Sequence, residues 1–286
     1  MTNLQPSNLP TFQLGLIGFP LRHSLSPKIH KAALESCGLQ GDYSLFPIPP
    51  DDFHGLKQLL SRIRNEELTG LNVTIPHKQN VIQFLDDLTP AAIVIGAVNT
   101  IYLRDNKLIG DNTDAAGFLS DLKRFLTTET RRHGDSNALV LGAGGSSRAI
   151  VYALLHDGWK VTVSARRIEQ AQQLANFFTQ HELRIMALTD LRYLTFDLLV
   201  NTTPLGMSPN TDQSPWPENL PLPKAAVYDL IYNPRETKLI KDARTQGLSA
   251  TTGLGMLVEQ AALAFELWTG RNPPRNILFE SVGHLP

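Results

Sequence analysis

Apolar residues recur along this 286-residue chain in two alternating spacings. Short apolar runs at residues 12–17, 43–46 and 71–75 have the length of buried strands. Residues 26–37 and 51–63 instead carry apolar positions three and four apart, the spacing of a helix with one buried face. The alternation continues with a helix at 78–85, an extended run at 97–103, a turn at Arg104-Asp105-Asn106-Lys107, a short strand at 108–109 and a helix from Thr113 or Asp114 to about 126. Farther on, runs at 138–141, 160–164, 184–188, 197–201 and 226–230 read as strands, and 168–180 and 256–268 as helices. Strands separated by crossover helices predict an α/β chain built on mostly parallel sheets.

Local signals sharpen several ends. Ser26 followed by Pro27 predicts an N-cap with proline in the first turn, and Gly38 a stop. Pro76 should end the strand before it. The polar stretch 127–137, with Arg131, Arg132, Gly134 and Asp135, is the expected break between an N-terminal domain, residues 1–126, and a second domain, residues 127–252. The last helical segment, within 253–286, is expected to return to the first domain.

Composition narrows the class. With 42% hydrophobic residues, 19% charged residues and a formal net charge of −1, the chain suits a folded protein with no polyanion partner, so neither nucleic acid nor disorder is expected. Its longest apolar windows fall short of a membrane span. The first ten residues lack the basic start and apolar centre of a secretory signal, and a cytoplasmic protein is expected. One cysteine, Cys37, allows no internal disulfide and is expected as a core thiol. The eight histidines show no metal-ligand spacing, so no metal is expected.

The first chemical signal is a glycine turn. Gly142-Ala143-Gly144-Gly145-Ser146-Ser147-Arg148-Ala149 follows the apolar run 138–141 and precedes a helical stretch. In a Rossmann-like unit the first glycine permits the turn, the second admits the pyrophosphate backbone, and a small third residue, here Ser147, lets helix meet strand. After the next strand stand Ser164-Ala165-Arg166-Arg167. A carboxylate there would bind the ribose of NAD, whereas arginine grips a 2′-phosphate through paired charged hydrogen bonds, so NADP is the expected cofactor.

Polar clusters also stand at predicted strand ends in the upstream half: Ser24 and Ser26, residues 72–78, residues 96–100, and residues 110–117. Hydroxyl, amide, ammonium and carboxylate groups gathered there would suit a small polyhydroxylated acid. Lys78 is notable because a cation at the start of a helix opposes the helix dipole. His77 is read as its structural neighbour and Tyr228 as core.

In motif order and content the chain resembles the shikimate dehydrogenase family. Asn72 through Lys78 matches the family's N-V-T-x-P-x-K segment, Gly96 through Thr100 its G-A-V-N-T, and the segment ending at Asp114 its G-x-N-T-D. The glycine turn matches from Gly142 to Ala149. The resemblance implies Lys78 and Asp114 as catalytic residues meeting at the reacting carbon, with substrate contacts from Ser24, Ser26, Asn72, Thr74, Asn99, Tyr232 and Gln260. It implies an NADP site made by Gly142, Ala143, Gly144, Gly145, Ser146, Ala165, Arg166, Arg167, Thr202, Thr203, Leu230 and Gly253. One departure is Ala165-Arg166-Arg167 where the family has N-R-T, which bears on the strength of NADP preference. The implied activity is NADPH-dependent reduction of 3-dehydroshikimate to shikimate. Rival expectations are a dual quinate/shikimate dehydrogenase with NAD use and, more remotely, a non-catalytic NADP-sensing module. Monomer and homodimer both remain open.

Overall fold

A computed structural model describes residues 10–126, 136–193, 195–218 and 220–283. In chain order the elements are β1 (Thr11–Gly18), α1 (Ser26–Ser36), β2 (Gln40–Pro47), α2 (Phe53–Arg64), β3 (Gly70–Val73), β4 (Asp87–Leu88), α3 (Pro90–Ile95), β5 (Thr100–Arg104), β6 (Lys107–Asp111) and α4 (Asp114–Phe125). There follow β7 (Asn137–Leu141), α5 (Gly145–His156), β8 (Lys160–Ser164), α6 (Ile168–Ala175), β9 (Leu183–Ile185), β10 (Leu198–Asn201), β11 (Ala226–Asp229), α7 (Lys238–Thr245), β12 (Ala250–Thr252), α8 (Leu254–Thr269) and α9 (Arg275–Ser281).

The chain divides into two compact units, residues 1–89, 98–111 and 261–286 in the first, and residues 90–97 and 112–260 in the second. The interdomain break expected at 127 falls in residues 127–135, outside the described residues, as do Arg131 and Arg132.

The first unit holds a six-stranded sheet in the order β2-β1-β3-β5-β6-β4. β1 pairs in parallel with β2 and β3, while β5 runs antiparallel to both β3 and β6. The β5–β6 reversal comes from the expected hairpin: Asp105 and Asn106 both have positive φ, 50° and 60°, the conformation of a tight two-residue turn that Asp and Asn tolerate. Both faces of the central strands are covered, so β3 is buried at every residue and reads as a continuous apolar run interrupted only by Asn72.

The second unit holds a six-stranded, wholly parallel sheet in the order β12-β11-β10-β7-β8-β9. The order reverses at β7, where neighbours β8 and β10 leave in opposite directions, and that switch point is where open α/β sheets take ligands. The cores on its two faces are built from Val140, Ile150, Leu154, Val163 and Val200 on one side and Leu139, Leu199, Val227, Leu239 and Ile240 on the other.

Some elements differ from expectation. Residues 78–85 form no α-helix: turns lead into a 3-10 helix, Asn80–Phe84. The argument that Lys78 opposes a helix dipole therefore lapses. α1 starts at Ser26, whose own hydroxyl does not cap it; Ser24 Oγ instead accepts the Ser26 N–H at 3.2 Å. α6 stops at Ala175. Cys37 is half-buried at the end of α1 and not a core thiol. The short elements β4, α3, α7, β12 and α9 were not anticipated, because about eight residues or fewer carry too little periodicity to register.

Candidate active site

In the first unit, the polar residues singled out by sequence lie at the C-terminal ends of β1 and β3 and at the entry to β5. The loop after β1 is stitched to the end of β3 by Thr74 N–H donating to Ile17 O at 2.8 Å and Phe19 N–H to Ile75 O at 2.9 Å. Gly18 is required by this crossing, since a Cβ there would lie 2.3 Å from Thr74 Cγ2. Val73 N–H donates to Asn99 O at 2.8 Å and Val98 N–H donates to Lys78 O at 2.8 Å, so the segments carrying Asn72, Thr74, Lys78 and Asn99 form one edge. Lys78 and Thr74 are half-buried, whereas Asn72 and Asn99 are buried.

Asn72 is held from two sides. Its Oδ1 accepts from the Tyr43 hydroxyl at 2.8 Å, and its Nδ2 donates to Asn99 O at 3.2 Å. Tyr43 in turn stacks on His30, with ring centroids 4.3 Å apart and planes 3° from parallel. His30 is fully buried, neither ring nitrogen has a hydrogen-bond partner among the described residues, and burial drives its pKa down to about 3. His77 is buried too, with Nε2 2.8 Å from Ile48 O, which suits a structural neighbour of Lys78.

The second unit carries the rest. Asp114 opens α4 and is buried. Of the two expected caps, Thr113 makes no side-chain cap and Asp114 is the first helical residue; Asn112 Oδ1 instead accepts from Ala115 N–H at 3.3 Å and its Nδ2 donates to Ala97 O at 2.9 Å. Gln260, on α8, is buried against α4 at Gly117 and donates to Leu257 O at 2.8 Å.

The glycine turn joins β7 to α5 at the switch point. Gly142 has φ +112°, and a Cβ on it would lie 2.5 Å from Thr202 Oγ1, so both its conformation and its surroundings require glycine. Gly144 precedes α5 without any side-chain cap, and a Cβ there would meet nothing within 4 Å. Ser147, at the third fingerprint position, is fully buried and its Oγ donates to Gly142 O at 2.6 Å, closing the turn on the helix. A helix start lined by uncapped backbone N–H groups and open space fits a pyrophosphate. Gly142 N–H also donates to Ser164 O at 2.8 Å, so the next strand end, with half-buried Ala165 and exposed Arg166 and Arg167, lies beside the turn. Arg148 of the same motif is buried, its guanidinium 4.0 Å over the Phe177 ring, and burial lowers its pKa.

The loops after β10 and β11 complete this rim. Thr202 donates both N–H and Oγ1 to Leu141 O, at 2.9 and 2.7 Å. Leu230 N–H donates to Asn201 O at 2.9 Å, and Gly253 lies so close to Leu230 that a Cβ would be 2.1 Å from its carbonyl oxygen. Tyr232 is half-buried, and burial raises its hydroxyl pKa. Sequence reasoning passed over Asn201, Asp229 and Tyr43. The available signal was a polar residue closing a wholly apolar run, as in Leu198-Leu199-Val200-Asn201 and Val227-Tyr228-Asp229.

Among the described residues no group of three or more His, Cys, Asp or Glu side chains could hold a metal ion, and no helix is long and apolar enough to cross a membrane.

Comparison with known proteins places these features in a family. Residues 16–101 match the shikimate dehydrogenase substrate-binding domain, residues 125–204 the shikimate/quinate 5-dehydrogenase model, and residues 253–277 the shikimate 5′-dehydrogenase C-terminal domain. The chain is 41% identical over 282 residues to the shikimate dehydrogenase (NADP+) of Desulforamulus reducens, covering 94% of each. It is 38% identical over 270 residues to that of Shouchella clausii, covering 94% of this chain and 96% of the relative. Among solved structures it is similar to shikimate 5-dehydrogenase from Thermus thermophilus in complex with NADP(H) and shikimate, with TM-score 0.83, 39% identity, and coverage of 94% and 98% of the two chains.

Proposed function

The chain belongs to the shikimate dehydrogenase family, and from that premise we propose that it reduces 3-dehydroshikimate to shikimate with NADPH, reversibly, as an oxidoreductase of the shikimate pathway. The observation that carries the reading is the single polar edge where Asn72, Thr74, Lys78 and Asn99 are tied by backbone hydrogen bonds. It supplies amide, hydroxyl and ammonium groups for a hydroxylated ring.

Ser24 and Ser26 take the substrate carboxylate in this reading, supported by their coupling through the Ser24 hydroxyl. Asn72, Thr74, Asn99, Tyr232 and Gln260 hold the ring hydroxyls. The cofactor is held at Gly142, Ala143, Gly144, Gly145 and Ser146 for the pyrophosphate, at Ala165, Arg166 and Arg167 for the adenosine end, and at Thr202, Thr203, Leu230 and Gly253. Bound NADPH supplies a hydride to the C3 carbonyl carbon. Negative charge then grows on the carbonyl oxygen; the Lys78 ammonium stabilises it and delivers a proton there. Asp114 accepts a hydrogen bond from the hydroxyl at that carbon once it has formed. In oxidation the neutral Lys78 amine takes the proton back.

In this reading residues 1–126, with the last helical segment in 253–286, act as the substrate half and residues 127–252 as the cofactor half. A cytoplasmic enzyme without nucleic-acid partners suits the near-zero net charge. A homodimer is compatible with the family, and its stoichiometry is read by light scattering. The deciding assay follows NADPH formation at 340 nm from shikimate and, separately, quinate, each with NADP and NAD. Turnover of shikimate with NADP is the expected result. Preference for quinate or NAD favours the dual enzyme, and no turnover by protein that still binds NADPH favours the sensing module.

A further inference from the structure

Asp229 ends β11 with no exposure to solvent, and no lysine or arginine pairs with it among the described residues. A buried carboxylate without a counter-ion persists only where its hydrogen bonds do something an apolar residue cannot. Its oxygens take donors from three segments. Oδ1 accepts from Asn201 Nδ2 at 2.9 Å and from Ile231 N–H at 3.1 Å, and Oδ2 accepts from Thr237 Oγ1 at 2.7 Å.

The consequence lies in Asn201, also fully buried. An ionised carboxylate accepts and cannot donate, so the Asn201 amide must turn its NH2 toward Asp229 and its oxygen away. That oxygen accepts from both Thr203 N–H, at 2.9 Å, and Thr203 Oγ1, at 2.8 Å. A reversed amide would set NH2 against the Thr203 N–H. On the other side, the Asp229 bond to Ile231 N–H shapes the turn that presents Leu230, whose carbonyl abuts Gly253. One carboxylate thus sets the chain direction after both β10 and β11.

We propose that Asp229 is a positioning residue for the cofactor site, orienting Thr203 through Asn201 and Leu230 with Gly253 through the turn at Ile231. The proposal rests on the cofactor reading above. It assigns Asp229 no contact with cofactor or substrate.

The test measures NADPH binding by fluorescence titration without substrate, alongside steady-state kinetics and thermal unfolding, on the full chain and on Asp229→Ala and Asp229→Asn. Asparagine keeps an oxygen for Asn201 and Ile231 and can turn its NH2 to the Thr237 hydroxyl. Asp229→Ala is expected to weaken NADPH binding roughly tenfold or more, the scale of a lost hydrogen bond to a charged group, while KM for shikimate changes less than about threefold. Asp229→Asn is expected to restore binding to within about threefold of the parent, since the bond geometry survives. If Asp229→Ala does not fold, Asn201→Ser removes the amide bridge and is expected to weaken NADPH binding in the same direction. Parental NADPH affinity in Asp229→Ala or Asn201→Ser, with only the unfolding temperature lowered, overturns the proposal. So does Asp229→Asn binding as poorly as Asp229→Ala. Failure of the parent protein itself to bind NADPH is a separate result, and it counts against the cofactor reading.

Discussion

Gly117 of α4 touches the backbone of Gln260 on α8: a Cβ at position 117 would lie 2.7 Å from the Gln260 nitrogen and 2.8 Å from its Cβ. Glycine inside a helix costs about 1 kcal/mol relative to alanine. It is kept here because nothing larger lets the two helices meet. Asp114, one turn before Gly117, and Gln260 are thereby carried on helices in direct contact.

Gly117→Ala therefore sets a small gain in helix propensity against a clash with backbone, and backbone cannot swing aside as a flexible side chain can. Overpacking of this kind costs roughly 1–3 kcal/mol. The clash is expected to win, shifting Gln260 and raising KM for shikimate several-fold with little change in NADPH binding. Kinetics with NADPH titration check this, and an unchanged KM would separate Gln260 from the substrate.

Arg166 and Arg167 are exposed at the end of β8, beside the glycine turn. Exposed guanidinium groups contribute little to folding, so their effect should show in cofactor choice. Arg166→Ala is expected to raise KM for NADPH roughly tenfold to a hundredfold, the scale of charged hydrogen bonds to a phosphate, and to leave KM for NADH nearly unchanged. Added salt should weaken NADPH binding more than NADH binding in the parent. Equal losses with both cofactors would move Arg166 away from the 2′-phosphate.

Lys78→Ala is expected to lower kcat by about 10² to 10⁴, the usual range for a lost general acid or base. Asp114→Asn, which keeps shape and removes charge, should lower kcat by a smaller factor with NADPH binding intact. Near-parental kcat in Lys78→Ala with only KM raised would make Lys78 a binding residue.

How much of this was legible depends on the distance over which each feature acts. The glycine turn, the Asp105-Asn106 hairpin and the long apolar helix at the C-terminus are local, and their patterns identify them directly. The cluster of Asn72, Lys78 and Asn99 was legible as motifs, but the bonds that gather it join strands far apart in sequence. Lys78 shows the opposite error: helical spacing suggested a helix dipole, yet the segment after Pro76 runs through turns into a 3-10 helix. Asp229 closes the apolar run Val227-Tyr228, a faint local signal, whereas Tyr43 sits inside β2 and its partners, Asn72 and His30, come from another strand and a helix, which no local spacing shows. Ser26-Pro27 reads as a capped helix start, yet Ser26 is itself the first helical residue and no side chain caps the helix.

Tyr43 is expected to matter through Asn72. Its hydroxyl donates to Asn72 Oδ1 at 2.8 Å, which leaves Nδ2 facing Asn99 O. Tyr43→Phe keeps the ring that stacks on His30 and removes that donor, at about 1 kcal/mol or somewhat more for a buried acceptor left unpaired. KM for shikimate should rise about threefold to tenfold with kcat largely retained. Parental KM together with a lowered unfolding temperature would confine Tyr43 to the core.

His30 and Asp229 should make stability respond to acid in opposite senses within one pH window. His30 has its pKa lowered from 6.5 to about 3 by burial, so the unfolded chain binds a proton that the folded protein refuses. Its contribution is complete above pH 6.5 and is lost as pH falls toward 3. Asp229 has its pKa raised from 3.8 to about 6, again chiefly by burial, with bonds from Thr237, Ile231 and Asn201 opposing. Ionised, it costs the folded state on the order of 2–3 kcal/mol, at about 1.4 kcal/mol per pKa unit. That cost is full above pH 6 and disappears as pH falls to 3.8. Urea unfolding between pH 4 and pH 8 separates the two. Asp229→Asn should be more stable than the parent above pH 6, with the gap closing toward pH 4. His30→Leu should lose less stability than the parent on acidification below pH 6.5, whatever its stability at neutral pH. Parallel pH profiles for the parent and both variants would show that neither group titrates in that window.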